Sequence, residues 1–104
     1  MTTTTNPYPN LVMPAGAVTV HDWDGIGTDD PTRYFQGPRA IVPTRHGDVT
    51  VWWGGLQRPD GSLEFEICVS ELHSDKSLSV AEARQVVRAM MQAADEIERW
   101  SASD

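Results

Sequence analysis

Two stretches of the chain carry strong hydrophobic periodicity, one with a period of two and one with a period near 3.6 residues, and together they predict most of the fold. Asp48 to Gln57 and Ser62 to Ser70 are rich in β-branched and aromatic residues and are separated by Arg58, Pro59, Asp60 and Gly61. Pro59 presets the first turn position, Asp60 suits the second and Gly61 supplies a positive φ. A three-residue Pro-Asp-Gly loop with a glycine bulge therefore joins the two segments as an antiparallel hairpin. That loop fixes the register. With Arg58 opposite Ser62, Gly55 faces Phe65, Trp53 faces Ile67 and Val51 faces Val69, and Phe65 covers the bare Gly55. One face then carries Val49, Val51, Trp53, Leu63, Phe65, Ile67 and Val69; the other carries Thr50, Trp52, Leu56, Glu64, Glu66, Cys68 and Ser70. A slip of one residue would set Trp52 opposite Ile67 and split the apolar set between the faces.

The helical period begins at Ser79. Ser79 and Glu82 form a capping box, and Val80, Ala83, Val87, Met90, Ala94 and Ile97 recur behind it at three- and four-residue spacing. Val86 and Met91 widen the stripe to an arc of roughly 140°, which suits packing on a sheet. Gln85, Arg88, Gln92, Asp95 and Arg99 fall on the solvated side.

The N-terminal half is less regular. Residues 1 to 16 are Thr-rich with three prolines and no period, and read as a flexible or extended arm whose Leu11, Val12 and Met13 are free to dock on the domain. Ala17 to Trp23 reads as a short strand, followed by an acidic, Gly-rich loop from Asp24 to Asp30. Asp30 before Pro31 resembles an N-cap with proline at the first helical position, predicting one helical turn through Tyr34. Arg39 to Pro43 reads as another short strand.

At 104 residues there is room for one core and not for two. The formal charge of -7 comes from 15 acids against 8 bases, with no cluster of Lys and Arg to neutralise phosphates, so direct nucleic-acid binding is disfavoured. Cys68 is the single cysteine, which rules out an intramolecular disulfide and a Cys-rich zinc site and fits a reducing compartment. With no signal-like N-terminus and no apolar run of membrane-spanning length, a cytoplasmic location is expected.

The residues offer little for site chemistry. Aligned with a calcium-binding loop, Asp22, Asp24, Gly27 and Asp30 take usable positions, but Ile26 replaces an oxygen donor and Arg33 stands where a bidentate glutamate belongs; a solvated turn is the simpler reading. The zinc donors His21, His46, Cys68 and His73 match no common ligand spacing. Cys68, mid-strand without a helix N-terminus or basic neighbour, has nothing to make it a nucleophile. Gly54-Gly55 lies within a strand and Gly25-Ile26-Gly27 precedes acids, so neither is a phosphate loop. No catalytic, cofactor or metal residues are assigned.

Four tryptophans in this length are informative. The register turns Trp53 inward and Trp52 outward, beside Leu56, Glu64, Glu66 and Cys68, the five candidate interface residues. Either that outer patch is open and anchors a partner or a second copy of the chain, or the N-terminal arm or Tyr34-Phe35 folds over it.

The run Gly55-Leu56-Gln57-Arg58-Pro59-Asp60-Gly61, with Leu78 to Arg84 and Ala93-Ala94-Asp95-Glu96, resembles short uncharacterised domains of actinobacteria and their phages. The likeness covers about the last half of the chain, with His21 to Trp23 as an extension. Similar members carry cysteines and histidines in the N-terminal half that suggest a metal site; with Trp23 there and no cysteine, that site does not carry over. The resemblance implies a small cytoplasmic accessory protein, with a phage-borne one among the alternatives.

The expected architecture is α+β: a small antiparallel sheet of three or four strands with one long C-terminal helix, Ser79 to Trp100, on one face. Residues 1–16 form the arm, 17–100 the domain and 101–104 a tail. The expected function is a non-enzymatic protein-binding module acting through its sheet face, with a homodimer as one form and no cofactor. A second reading is an acidic regulator that mimics nucleic acid through Glu64, Glu66, Glu71, Glu82, Asp95, Glu96 and Glu98. A third is metal binding by the Asp22 to Asp30 loop.

Overall fold

The computed structural model describes residues 7–70 and 72–102. Among these residues four strands and one helix follow in chain order: β1 (Thr19–Asp24), β2 (Thr32–Val42), β3 (Val49–Gln57), β4 (Leu63–Val69) and α1 (Val80–Ala102). The strands form a single antiparallel meander in the order β1-β2-β3-β4, and α1 packs across one face of it, so the fold is α+β.

The hairpin forms as its turn chemistry dictates. Val51 pairs with Val69, Trp53 with Ile67 and Gly55 with Phe65. At the corner the Arg58 N–H donates to the Ser62 carbonyl at 3.0 Å, the Gly61 N–H donates to the Arg58 carbonyl at 2.9 Å, and Gly61 takes φ +89°. The Asp60 carboxylate accepts the Ser62 N–H at 2.8 Å, an Asx-type brace on the same turn.

Sequence and structure part company at residues 30–43. No helical turn follows Asp30-Pro31. Thr32 instead opens β2, an eleven-residue strand that absorbs the short one expected from Arg39. Arg33 and Phe35 point to the helix side and Tyr34 and Gln36 to the other, a period of two that the Gly37-Pro38 interruption conceals. That interruption is a β-bulge, where the register against β3 shifts between Gln36 and Arg39. A bulge tolerates proline, which cannot donate to a ladder. The bulge also serves the core, because a Cβ on Gly37 would overlap the Trp53 indole. β1 begins two residues later than the Val18/Val20 alternation suggests. A second irregularity between Val20 and Trp23 brings those two residues onto the helix face despite their odd spacing.

The core lies between β2, β3 and α1. One cluster joins Val42, Val49, Val51, Val86 and Ala89; the other joins Phe35, Trp53 and Ala93, edged by Val20, Leu63, Phe65 and Ile97. Trp53 and Phe35 are 1% and 0% exposed and meet edge to face at 6.3 Å between centroids. Phe35, rather than Phe65 alone, fills the space above Gly55, its ring tip 3.1 Å from where a Cβ would sit. The Trp53 indole N–H is satisfied by the Glu96 carboxylate at 2.5 Å, tying the centre of the sheet to the last third of the helix.

The helix uses less of its apolar arc than its periodicity offers. Val86, Ala89 and Ala93 are buried, and both Ala89 and Ala93 lie outside the stripe read from spacing; Val80, Val87 and Met91, which lie inside it, are 73%, 52% and 63% exposed. A helix touches a sheet along a narrow line, and small Ala89 and Ala93 let that line run close over Val51 and Trp53.

The helix start is reciprocal: the Glu82 N–H donates to Ser79 Oγ at 3.1 Å and the Ser79 N–H donates to Glu82 Oε1 at 2.8 Å. The other Glu82 oxygen accepts the Arg45 N–H at 2.7 Å, so the cap also anchors the β2–β3 loop. The Ser79 and then the Arg45 backbone donors hold the Glu82 carboxyl below the ordinary glutamate value. A depressed carboxyl contributes stability above its unfolded pKa and loses it as pH falls through the folded one. Thermal melts from neutral to acid pH are therefore expected to show Glu82→Gln less stable than wild type at neutral pH and the two converging at the acid end. A gap that stays constant across that range refutes the coupling.

Candidate functional site

The sheet face opposite α1 is where the chain keeps its unassigned aromatic surface. β3 contributes Thr50, Trp52, Gly54 and Leu56, β2 contributes Tyr34, Gln36, Arg39 and Ile41, and β4 contributes Glu64, Glu66 and Cys68; alternation along paired strands puts all of them on one side. Trp52 and Leu56 are half-buried, as sheet neighbours flank them, and Ile41 is exposed. Arg39 sits over the Trp52 ring at 5.4 Å from its centroid, a cation–π contact across the β2–β3 pair. Trp52 Nε1 is buried and has no hydrogen-bond partner among the described residues. Tyr34 crosses to Gly54, its hydroxyl 3.0 Å from the position a Cβ would take, and packs against His21 with ring centroids 5.6 Å apart. Gly54-Gly55 thus receives Tyr34 on the outer face and Phe35 on the inner one.

Residues 7–16 do not cover this face. They lie on the helix side, at the hairpin end of the sheet. Gln57 Nε2 donates to the Val12 carbonyl at 2.9 Å, Tyr8 meets Trp23 edge to face at 4.6 Å, and Gly16 abuts the Trp100 indole. Of the two arrangements the sequence leaves open, the described residues follow the first: this part of the arm extends the helix layer and leaves the outer face open. Tyr34 borders Trp52 rather than capping it, and Phe35 is in the core.

The five candidate interface residues share the outer face with unequal freedom. Glu64 is engaged by Arg58 at 2.7 Å, and Arg58 also reaches Asp30 at 3.5 Å. Cys68 lies 3.7 Å from the Glu66 carboxylate. Burial first, and then the Glu66 charge, pushes the Cys68 thiol up, the wrong direction for a nucleophile or a thiolate ligand.

The acidic loop between β1 and β2 is a chain of turns. The Thr28 N–H and hydroxyl both donate to the Gly25 carbonyl, at 3.0 and 2.5 Å, and Asp30 faces Arg58. Among the described residues no three His, Cys, Asp or Glu side chains gather closely enough to hold a metal ion. His21 lies against Tyr34, while His46 belongs to the β2–β3 loop and Cys68 to β4, so these zinc donors are spread across separate elements.

Spacing gives no hint of the polar cluster at the hairpin end of the helix side. Arg33 is 4% exposed; its Nε donates to Gln57 Oε1 at 2.7 Å and its guanidinium lies 5.1 Å from the Trp23 ring centroid. Burial lowers the Arg33 pKa from the ordinary guanidinium value, and neither Arg33 Nη2 nor Trp23 Nε1 has a hydrogen-bond partner among the described residues. The one signal in the sequence is a charged residue at an inward position of β2, which becomes visible once that strand is known to start at Thr32.

No family model, curated protein or solved structure matches the chain. No helix among the described residues is long and apolar enough to cross a membrane.

Proposed function

We propose that this protein is a non-enzymatic protein-binding module that docks its partner on the open sheet face, with Trp52 as the anchor. The observation that carries the reading is the strip of Tyr34, Trp52, Leu56 and Ile41 on a face that neither α1 nor residues 7–16 cover. Large rings with a polar edge supply much apolar area at little conformational cost, and Trp and Arg dominate interface energetics. Arg39 over Trp52 gives the strip a charged border. The resemblance to small actinobacterial and phage domains fits an accessory role of this kind. The acidic-mimic reading has less behind it. Of its carboxylates, Glu64 is bound to Arg58, Glu82 caps the helix and Glu96 holds the Trp53 indole; Glu71 lies outside the described residues.

Affinity capture from the host with wild type and Trp52→Ala baits, at low and high salt, tests the proposal. Proteins retained by wild type at both salt concentrations are expected to fall at least about tenfold with Trp52→Ala, the loss typical of a hot-spot truncation. Capture that ignores Trp52→Ala and vanishes with salt would favour the charge-based reading instead.

A further inference from the structure

The outer flank of α1 carries a second unpartnered surface, on the opposite side of the molecule from Trp52. Ala89, Gln92 and Glu96 border, with Pro38, Arg39 and Ala40 of β2, a cleft of about 90 Å³ along one flank of the helix. The 3.6-residue period therefore turns Ala83, Val87, Met90 and Ala94 to the other flank, above edge strand β4. Val80, Val87, Met90 and Met91 are 73%, 52%, 37% and 63% exposed there, and Ile67 on the helix side of β4 is 37% exposed. These side chains follow the seam spacing of paired helices: Val80, Ala83, Val87, Met90, Ala94 and Ile97 alternate steps of three and four.

The solvent edge of this stripe is polarised. Arg84 and Arg88 precede Met91, and Asp95, Glu98 and, farther round the helix, Arg99 follow it. We infer that a second copy of this chain docks here, its α1 antiparallel to the first about a two-fold axis at Met91. In that arrangement Arg84 of each copy meets Glu98 of the other and Arg88 meets Asp95. A parallel pairing would set arginine against arginine and carboxylate against carboxylate. A closed two-fold contact requires the same patch to complement itself, which this charge order does. The stripe supplies the affinity over about 27 Å of helix from Val80 to Glu98. The rim pairs add little attraction at a solvated edge and chiefly select the alignment. This interface is independent of the proposed function, since the two surfaces lie on opposite sides of the sheet.

Sedimentation equilibrium of the 104-residue chain over a wide concentration range is the test, with circular dichroism confirming that each variant is folded. A dimer is expected that Met91→Glu weakens at least tenfold, that Arg84→Glu weakens, and that the double variant Arg84→Glu/Glu98→Arg restores. Trp52→Ala is expected to leave it intact, which separates this surface from the sheet face. In a Cys68→Ser background, oxidised Met91→Cys is expected to cross-link copies across the axis. The inference is overturned by a monomer at every concentration, by a dimer indifferent to Met91→Glu, by a charge swap that fails to restore association, or by a Met91→Cys chain that does not cross-link.

Discussion

Trp53→Ala is expected to cost the domain about 3–5 kcal/mol, the range for removing a fully buried aromatic side chain, whereas Trp52→Ala one residue away is expected to cost well under half of that. Trp53 is 1% exposed, contacts Phe35 and Phe65 and is hydrogen-bonded to Glu96, so truncation empties the middle of the core and leaves a carboxylate without its donor. Trp52 lies half-buried on the open face with Arg39 over its ring. Because a domain of this size holds roughly 5–15 kcal/mol in all, Trp53→Ala removes a large share of the total. Urea melts of the two variants provide the comparison. Equal losses would mean that the two faces of β3 are equally packed, which would remove the basis for treating Trp52 as a surface anchor.

Gly55→Ala is the second large effect. A Cβ at Gly55 would run into the carbonyl oxygen of Glu64 on β4 and approach the Phe35 ring. The first of these is backbone and cannot rotate away, so β4 must move off β3, and Phe35 must give way slightly as well. Overpacking of this sort costs typically about 1–3 kcal/mol, and displacement of a hydrogen-bonded strand puts this site at the upper end or beyond. The paired control is Gly47→Ala in the β2–β3 loop, where nothing lies within 4 Å and only the φ of +110° is unfavourable. A Gly55→Ala protein as stable as the Gly47→Ala protein would show that β4 yields freely at this point and that the close approach is unimportant.

These two variants also mark where the chain could be read directly and where it could not. The hairpin register is legible because one local device, the Pro59-Asp60-Gly61 corner, sets every later pairing by counting. The helix start is legible because Ser79 and Glu82 satisfy each other's backbone within one turn. β2 is hidden, because its period breaks at Gly37-Pro38 and the reason for the break is the distant indole of Trp53. Asp30-Pro31 carries a genuine helix-start signal, but one turn of helix there would have left Phe35 without the site over Gly55 that buries it completely. Non-local packing outweighed a cap worth about 1 kcal/mol. The pairing of Arg33 with Gln57 is hidden for the same reason, since a buried cation is recognisable only after the strand that buries it has been aligned.

For the candidate surfaces the division is similar. Alternation along β3 is enough to separate Trp52 from Trp53, and the spacing on α1 identifies a broad apolar arc. Which side of the helix the sheet uses is a matter of contact geometry, and the answer, a strip through Val86, Ala89 and Ala93 at and beyond one edge of that arc, leaves Val80, Val87 and Met91 to solvent. Periodicity measures how much apolar surface an element offers, not how much its neighbour can reach.

The sequence by itself determined the hairpin, its alignment, the helix and the side of β3 on which each tryptophan lies, because each follows from interactions among residues close along the chain. Only the tertiary structure decided that β2 runs unbroken through a bulge, that Phe35 rather than Phe65 alone fills the space above Gly55, that residues 7–16 lie beside the helix and not over Trp52, and which flank of α1 stays open. Those outcomes depend on where distant side chains find room, and room is a property of the assembled core that no local pattern encodes.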